Sequence, residues 1–442
     1  MQDRQMTPQD LYAERLMTPA QAVADIASGD RLAMGMALAE PPALLAALAA
    51  RAEAGEIDEV PLYYFHSTPH SAASVLRYEL LDRIRPHCFF LGPWERALLA
   101  QGEREGKRTI CFVPGAFSQA PRLMSEPRPI DSFLTTVSPM DAHGFFSLGT
   151  SNDYGSALVK SARRVLVEVN PKMPRVRGGM IHVSQVDAIV ENDLPLFEDP
   201  KKPSAPEDAA IGRIVAGLVD DGACLQMGIG ALPEAVCGAL SGHRDLGVHT
   251  ELFSNGLMAL MQCGAVTNAR KATNPGRSIF TFALGDRALY DFIDDNAAVE
   301  SRPVAYVNDP AIIARNPNVV SVNATLQVDL SGACNSEHMA GRQYSAAGGQ
   351  LDFVRGAYAS PGGRSIIACH STAKGGEVSR IVLALDGPVT TPRNDVHVVV
   401  TEYGHRDLKG LSCYDRAKAL ISLAHPKFRD GLIADAKARG LL

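Results

Sequence analysis

The stretch Gly222-Ala-Cys-Leu-Gln-Met-Gly228-Ile-Gly-Ala-Leu-Pro233-Glu-Ala-Val236 reads as a strand, a glycine turn and a helix. The glycines let the backbone turn sharply and leave room for close approach to its amides. Proline suits the first position of the helix that follows, predicted over Pro233–Leu240. A second copy stands near the start: Gly29-Asp-Arg-Leu-Ala-Met-Gly35, then Pro41-Pro42-Ala43-Leu44. Glycine, leucine, methionine and glycine recur in step, and the first copy has one extra residue before its proline-started helix. Two such units predict two tandem domains of similar fold.

Outward from these stretches, short β-rich runs alternate with helical ones. Strands are expected at Leu62–Phe65, Cys88–Leu91, Thr109–Val113, Val165–Val169, Ser278–Phe282, Val319–Val322, Arg380–Leu385 and Val396–Thr401. Helices are expected at Pro42–Ala52, Ala209–Asp220 and Asp286–Ile293. Alternation of this kind predicts α/β domains with mostly parallel, buried sheets. The segment Glu198-Asp-Pro-Lys-Lys-Pro-Ser-Ala-Pro206 resists both helix and central strand and is the expected linker. It divides the chain into domains at 1–200 and 207–442, in keeping with a length of 442 residues.

Composition narrows the function. With 46% hydrophobic and 21% charged residues, the chain resembles an ordinary globular protein. A net charge of −6 gives no general reason to expect nucleic acid or an anionic membrane as partner. The polar start MQDRQMTPQDLYAERL lacks a signal peptide's apolar run, and no apolar stretch approaches the ~20 residues that span a bilayer. The eight cysteines include no C-x-x-C pair, and most, such as Cys88 and Cys111, have the apolar neighbours of a buried free thiol. A cytoplasmic location is expected.

Four motifs could carry chemistry. Met227-Gly-Ile-Gly-Ala-Leu-Pro233 offers backbone amides at a helix start, suited to an oxyanion or phosphate. It lacks the third glycine of the dinucleotide fingerprint and the G-K-[ST] ending of a P-loop. His249-Thr-Glu251-Leu-Phe-Ser-Asn-Gly256 puts a carboxylate at the end of a strand, Leu246–Thr250, followed by a turn-prone Ser-Asn-Gly. The carboxyl ends of parallel strands are where such sheets bind ligands. Ala347-Gly-Gly-Gln-Leu-Asp-Phe353 again offers amides, and His370-Ser-Thr-Ala-Lys374-Gly-Gly376 places a positive charge in a flexible loop. Singly, each also fits a packing turn or a surface loop.

Together, GIGALPEAV, HTELFSNG, VDLSGACNSE, GGQLDF, STAKGG and TEYGHRDLKG resemble the acetyl-CoA hydrolase/transferase family of class I CoA-transferases, in the manner of 4-hydroxybutyrate and itaconate CoA-transferases. The resemblance spans nearly the whole chain and implies two tandem CoA-transferase-type (NagB/RpiA-like) domains, with the site between them. It implies an acyl-CoA:carboxylate CoA-transferase of the EC 2.8.3 type, with Glu251 as the catalytic glutamate that becomes a glutamyl-CoA thioester. Carried over residue by residue, it puts CoA binding on Gly228, Ile229, Gly230, Ala231, Leu232, Gly348, Gly349 and Lys374. The oxyanion hole falls on the amides of Ile229 and of Gly348 or Gly349, with Gly349 favoured. No metal or other cofactor is implied: coenzyme A is a substrate, and the partners are acyl-CoA and small carboxylic acids. The family also implies a homodimer or larger homo-oligomer.

Departures from the family pattern at His405 and in HMAGRQYSAA bear on the acceptor. The resemblance favours a C4–C5 acid such as itaconate, succinate or 4-hydroxybutyrate, with His66, Arg342 and His405 as candidates to hold a distal carboxylate. An acyl-CoA hydrolase using the same glutamate is the alternative. A nicotinamide-dependent oxidoreductase lacks its fingerprint, and a binding protein without catalysis has no use for an intact Glu251.

Overall fold

Short apolar strands beginning after left-handed glycines open the main sheet of each half: Gly29 has φ +82° and Gly222 φ +84°. The computed structural model describes residues 6–126, 128–200 and 203–442. They form two units, one of Met1–Gly115, Gln119–Asp199 and Thr281–Ala305, the other of Ala116–Ser118, Pro200–Phe280 and Tyr306–Leu442. Residues 281–305 and 116–118 thus cross the contiguous division at 1–200 and 207–442. Linker separation in sequence says nothing of such returns, because strand pairing and packing decide which unit a later segment joins.

The first unit is built on β1 (Leu32–Met34), β2 (Val60–Tyr64), β3 (Ile84–Cys88), β4 (Cys111–Phe112), β5 (Ser132–Val137), β6 (Arg164–Val169) and β7 (Ala188–Glu191). Their order is β4-β3-β2-β1-β5-β6-β7, with every pair parallel. Helix α1 (Pro42–Glu53) buries Leu44, Leu45, Leu48, Ala49 and Ala52, an apolar stripe at helical spacing. Its start is held by Glu168 of β6, whose Oε2 accepts from the Ala43 and Leu44 amides at 2.8 and 3.1 Å. A carboxylate there meets the unpaired N–H groups and the positive end of the helix. A further helix, α2 (Pro93–Glu105), follows β3.

The second unit carries α3 (Pro206–Ala216), β8 (Cys224–Met227), α4 (Ala231–Ala239), β9 (Gly247–Val248), β10 (Val319–Ala324), α5 (Gln350–Ala359), β11 (Arg364–Ala368), β12 (Val398–Thr401) and β13 (Gly404–Asp407). The strand order is β9-β8-β10-β11-β12-β13, parallel except for the last pair. The chain steps from β8 to one side and then crosses back to the other, the kind of reversal at which α/β sheets hold ligands.

Several local expectations shift. The strand expected at Cys88–Leu91 runs instead over Ile84–Cys88, where Ile84, Pro86 and Cys88 are buried and Arg85 is exposed, an alternation the apolar run Cys88–Leu91 does not show. Arg380–Leu385 supplies only the two-residue strand Ile381–Val382. Helix α4 begins at Ala231, so Pro233 takes its third position, not its first; the missing N–H is harmless there because the first four amides have no partner within the helix. Ser254-Asn-Gly256 is not a loop turn: Ser254 is the N-cap of helix Asn255–Gln262. A Cβ on Gly256 would stand 2.8 Å from Cys237 Cβ, so this helix packs closely on α4. All eight cysteines are free; five are buried, Cys111 is half-buried, and Cys263 and Cys413 are exposed. Among the described residues no helix is long and apolar enough to cross a membrane.

Candidate active site

Parallel pairing of β8, β9, β10 and β11 brings the segments after their carboxyl ends to one edge of the second unit's sheet. Three of the four sequence motifs leave the sheet there: Gly228–Leu232 after β8, Glu251 just after β9, and the loop to Lys374 after β11. Thr250 joins the first two, its Oγ1 accepting from the Met227 amide at 3.3 Å and donating to the Leu252 carbonyl at 3.0 Å.

His249 sets the next contact. Its Nε2 donates to the Val307 carbonyl at 2.8 Å, and burial together with the nearby Lys271 charge pushes the imidazole down to about 3. A neutral ring with a fixed tautomer therefore anchors the chain at Val307. The next residue, Asn308, is fully buried, and its Nδ2 donates to Glu251 Oε2 at 2.6 Å.

The double glycine closes the other side. Gly349 is the N-cap of α5, and its amide favours the charged form of the Glu251 carboxyl. A Cβ on Gly349 would overlap both Glu251 Oε2 and Asn308 Nδ2, whereas one on Gly348 would stand 3.9 Å from Glu251 Oε1. Glycine at 349 is thus required by the closeness of the carboxylate. The Gly348 carbonyl accepts from the Phe117 amide at 2.9 Å, which ties the loop to the segment 116–118.

Glu251 keeps some surface exposure, but its carboxyl is tightly surrounded. Burial, with the negative charge of Asp352 adding to it, raises this carboxyl to about 7, against the Asn308 and Gly349 donors that hold it down. A carboxylate short of hydration yet aimed by two donors is a candidate nucleophile. Asp352, the fifth residue of the GGQLDF motif, is raised to about 6 by its own burial, opposed by Ser118 and Asn308.

The glycine loop departs from expectation at one residue. The Gly228 amide donates to the Val322 carbonyl at 2.9 Å, continuing the sheet, and a Cβ there would stand 3.2 Å from that same oxygen. Gly228 is therefore small for its own sheet, and its N–H is already engaged. Gly230 needs glycine for its backbone, with φ +120°. Ile229 is 41% exposed at the turn, Ala231 is half-buried and Leu232 buried.

Among the described residues, the groups facing the Glu251 carboxyl are Asn308, Gly348, Gly349 and Asp352. Lys374 is not one of them: it sits at the exposed tip of a hairpin, Thr372–Ala373 against Val378–Ser379, with φ +50°. Of the residues considered for a distal carboxylate, His405 is exposed on β13, Arg342 is exposed in a hairpin strand, and His66 belongs to the first unit. Asn308 and Ser118 belong to no motif read from the sequence. Asp352 lay within one but carried no assignment.

Comparison with known proteins places the chain in a family. The acetyl-CoA hydrolase/transferase N-terminal domain matches residues 1–197, and the C-terminal domain of the same family matches residues 285–436. The chain is 43% identical to a succinyl-CoA:cyclohexane-1-carboxylate CoA transferase of Geobacter metallireducens, over 96% of each chain. It is 40% identical to a 4-hydroxybutyrate coenzyme A transferase of Clostridium kluyveri, over 98% of this chain and 99% of that one. The crystal structure of RipA from Yersinia pestis superposes with a TM-score of 0.97 at 57% identity, over 99% of this chain and 100% of RipA. With both domains matched in order and such identity along its length, the chain belongs to the acetyl-CoA hydrolase/transferase family, as an enzyme of the CoA-transferase type.

Proposed function

We propose that this protein transfers coenzyme A from an acyl-CoA to a small carboxylic acid through a thioester on Glu251. The observation that carries this reading is the Glu251 carboxyl, enclosed against Gly349 and held by Asn308 at 2.6 Å. A hydrated carboxylate is a poor nucleophile; one stripped of water and fixed in orientation against a thioester carbonyl is a far better one. The Glu251 oxygen attacks that carbonyl, the C–S bond breaks, and CoA thiolate leaves a mixed anhydride. The thiolate then attacks the glutamyl carbonyl, expelling the donor acid as its carboxylate and leaving glutamyl-CoA. An acceptor carboxylate runs the two steps in reverse and departs as the new acyl-CoA.

Each attack builds negative charge on a carbonyl oxygen. We assign the Ile229 amide to the oxygen of the acyl carbonyl and the Gly349 amide, which already faces Glu251, to the oxygen of the glutamyl carbonyl; one such donor is worth ~2.7–4 kcal/mol in comparable sites. Gly228, Gly230, Ala231, Leu232, Gly348 and Lys374 complete the proposed CoA site, with Gly228 shaping the turn rather than donating. The relatives' names support small carboxylates as a class, and a C4–C5 acid such as itaconate, succinate or 4-hydroxybutyrate is the acceptor we favour. Incubation with acyl-CoA and no acceptor should raise the intact mass by one CoA, on Glu251, and borohydride should reduce that thioester. Robust transfer by Glu251→Ala, with an adduct on another residue, would overturn the reading.

A further inference from the structure

An acidic residue at the third position of a helix can turn back onto the N-cap amide. Three helices of this chain do so: Asp10 accepts from the Thr7 amide at 2.9 Å at the start of helix Pro8–Arg15, Glu95 from the Gly92 amide at 2.8 Å at the start of α2, and Asp208 from the Ala205 amide at 2.7 Å at the start of α3. Asp352 holds the same third position in α5, behind the N-cap Gly349. There, however, the N-cap amide faces Glu251, and Asp352 faces Ser118 and the Asn308 side chain.

Asn308 consequently stands between two carboxyl groups. An ionised carboxylate only accepts hydrogen bonds, so the end of the amide turned to both must be the NH2. Its Oδ1 is buried without a partner, as is Asp352 Oδ2. With the amide turned over, that oxygen would instead face two carboxylates and the donor to Glu251 would be lost.

We propose that Asp352 is a positioning residue, which holds Asn308 with its NH2 toward Glu251 and leaves the Gly349 amide to the same carboxylate. This rests on the glutamyl-thioester reading above. Ser118, supplied by the segment 116–118, keeps Asp352 turned away from the N-cap.

The test is a double-mutant cycle on the full chain, at a pH near 8.5 where Glu251 is ionised, reading kcat, KM and the single-turnover rate of CoA adduct formation. Asp352→Ala should lower kcat and the adduct rate about tenfold while KM for acyl-CoA moves less than about twofold, the pattern of lost transition-state orientation. Asp352→Asn, which retains an acceptor oxygen and the side-chain volume, should lie between Asp352→Ala and the parent. In an Asn308→Ala background, Asp352→Ala should change kcat less than about twofold, because the two residues act as one unit. The inference is overturned if Asp352→Ala forms the adduct as fast as the parent, if only KM changes, or if the loss is equally large without Asn308. In each of those outcomes a Glu251 adduct on the parent leaves the functional reading standing. A parent that forms no such adduct removes that reading, and the role of Asp352 with it.

Discussion

The Asn308 side-chain nitrogen donates to Glu251 Oε2 at 2.6 Å across 57 residues of sequence, and among the described residues it is the one side-chain donor on that carboxyl. Removing it with Asn308→Ala should leave the nucleophile in place but free to rotate. Misplacement on this scale costs on the order of a hundredfold. The loss should fall on kcat and on adduct formation, measured by rapid mixing with acyl-CoA, with KM little changed. An equal loss in KM alone would show that Asn308 contacts substrate instead.

Glycine 349 tests the closeness of the site. Its φ of −97° and ψ of 11° suit alanine, so Gly349→Ala should fold, but the added Cβ must displace Glu251 Oε2 and Asn308 Nδ2. Turnover should drop more than about a hundredfold with Tm nearly unchanged. Gly230→Ala is the converse. Its Cβ would meet nothing within 4 Å, but φ is +120°. Strain in such a backbone costs on the order of 1–3 kcal/mol, which thermal melting should register.

Titration of Glu251 should appear in both rate and stability. Only its carboxylate attacks, so kcat/KM should rise with pH through about 7, and Asp352→Asn, by removing a like charge, should move that rise to lower pH. For stability the sign is opposite. The folded carboxyl titrates near 7 against 4.5 in the unfolded chain, so between these values the folded state holds a proton that the unfolded state has lost. The stability present below about pH 4.5 is lost as pH rises through about 7. Glu251→Gln should therefore melt above the parent at pH 8, with the gap shrinking as pH falls toward 4.5, while its transfer activity is absent as isolated. Melting curves that stay parallel across that window would exclude a buried charge at this position.

Lys374 stands on an exposed hairpin tip, where a lysine can pair with CoA phosphate as a point charge. Lys374→Ala should raise KM for acyl-CoA several-fold at low salt and less at high salt, since screening weakens exposed pairs. The chemical step under saturating acyl-CoA should be unaffected. An unchanged KM at low ionic strength would remove Lys374 from the CoA site.

Local sequence determined the elements whose cause is local. Gly222–Gly228 and Gly29–Gly35 each specify a strand entered through a left-handed glycine, and proline or glycine marks where the next helix can start. Glu251 was legible for the same reason, as a carboxylate just past a strand end in a recognisable motif. Tertiary structure decided what that carboxylate meets. Asn308 reaches it because His249 anchors Val307, and no periodicity or motif reports a side chain to backbone bond across 58 residues. Ser118 and Phe117 reach Asp352 and Gly348 only because a segment from the first half of the sequence packs within the second unit. Gly228 read as an open amide, but β10 takes that N–H through Val322. A residue's type and near neighbours set what it can donate or accept; which partner lies within 3 Å is settled by strand order and packing, which join residues far apart in the chain.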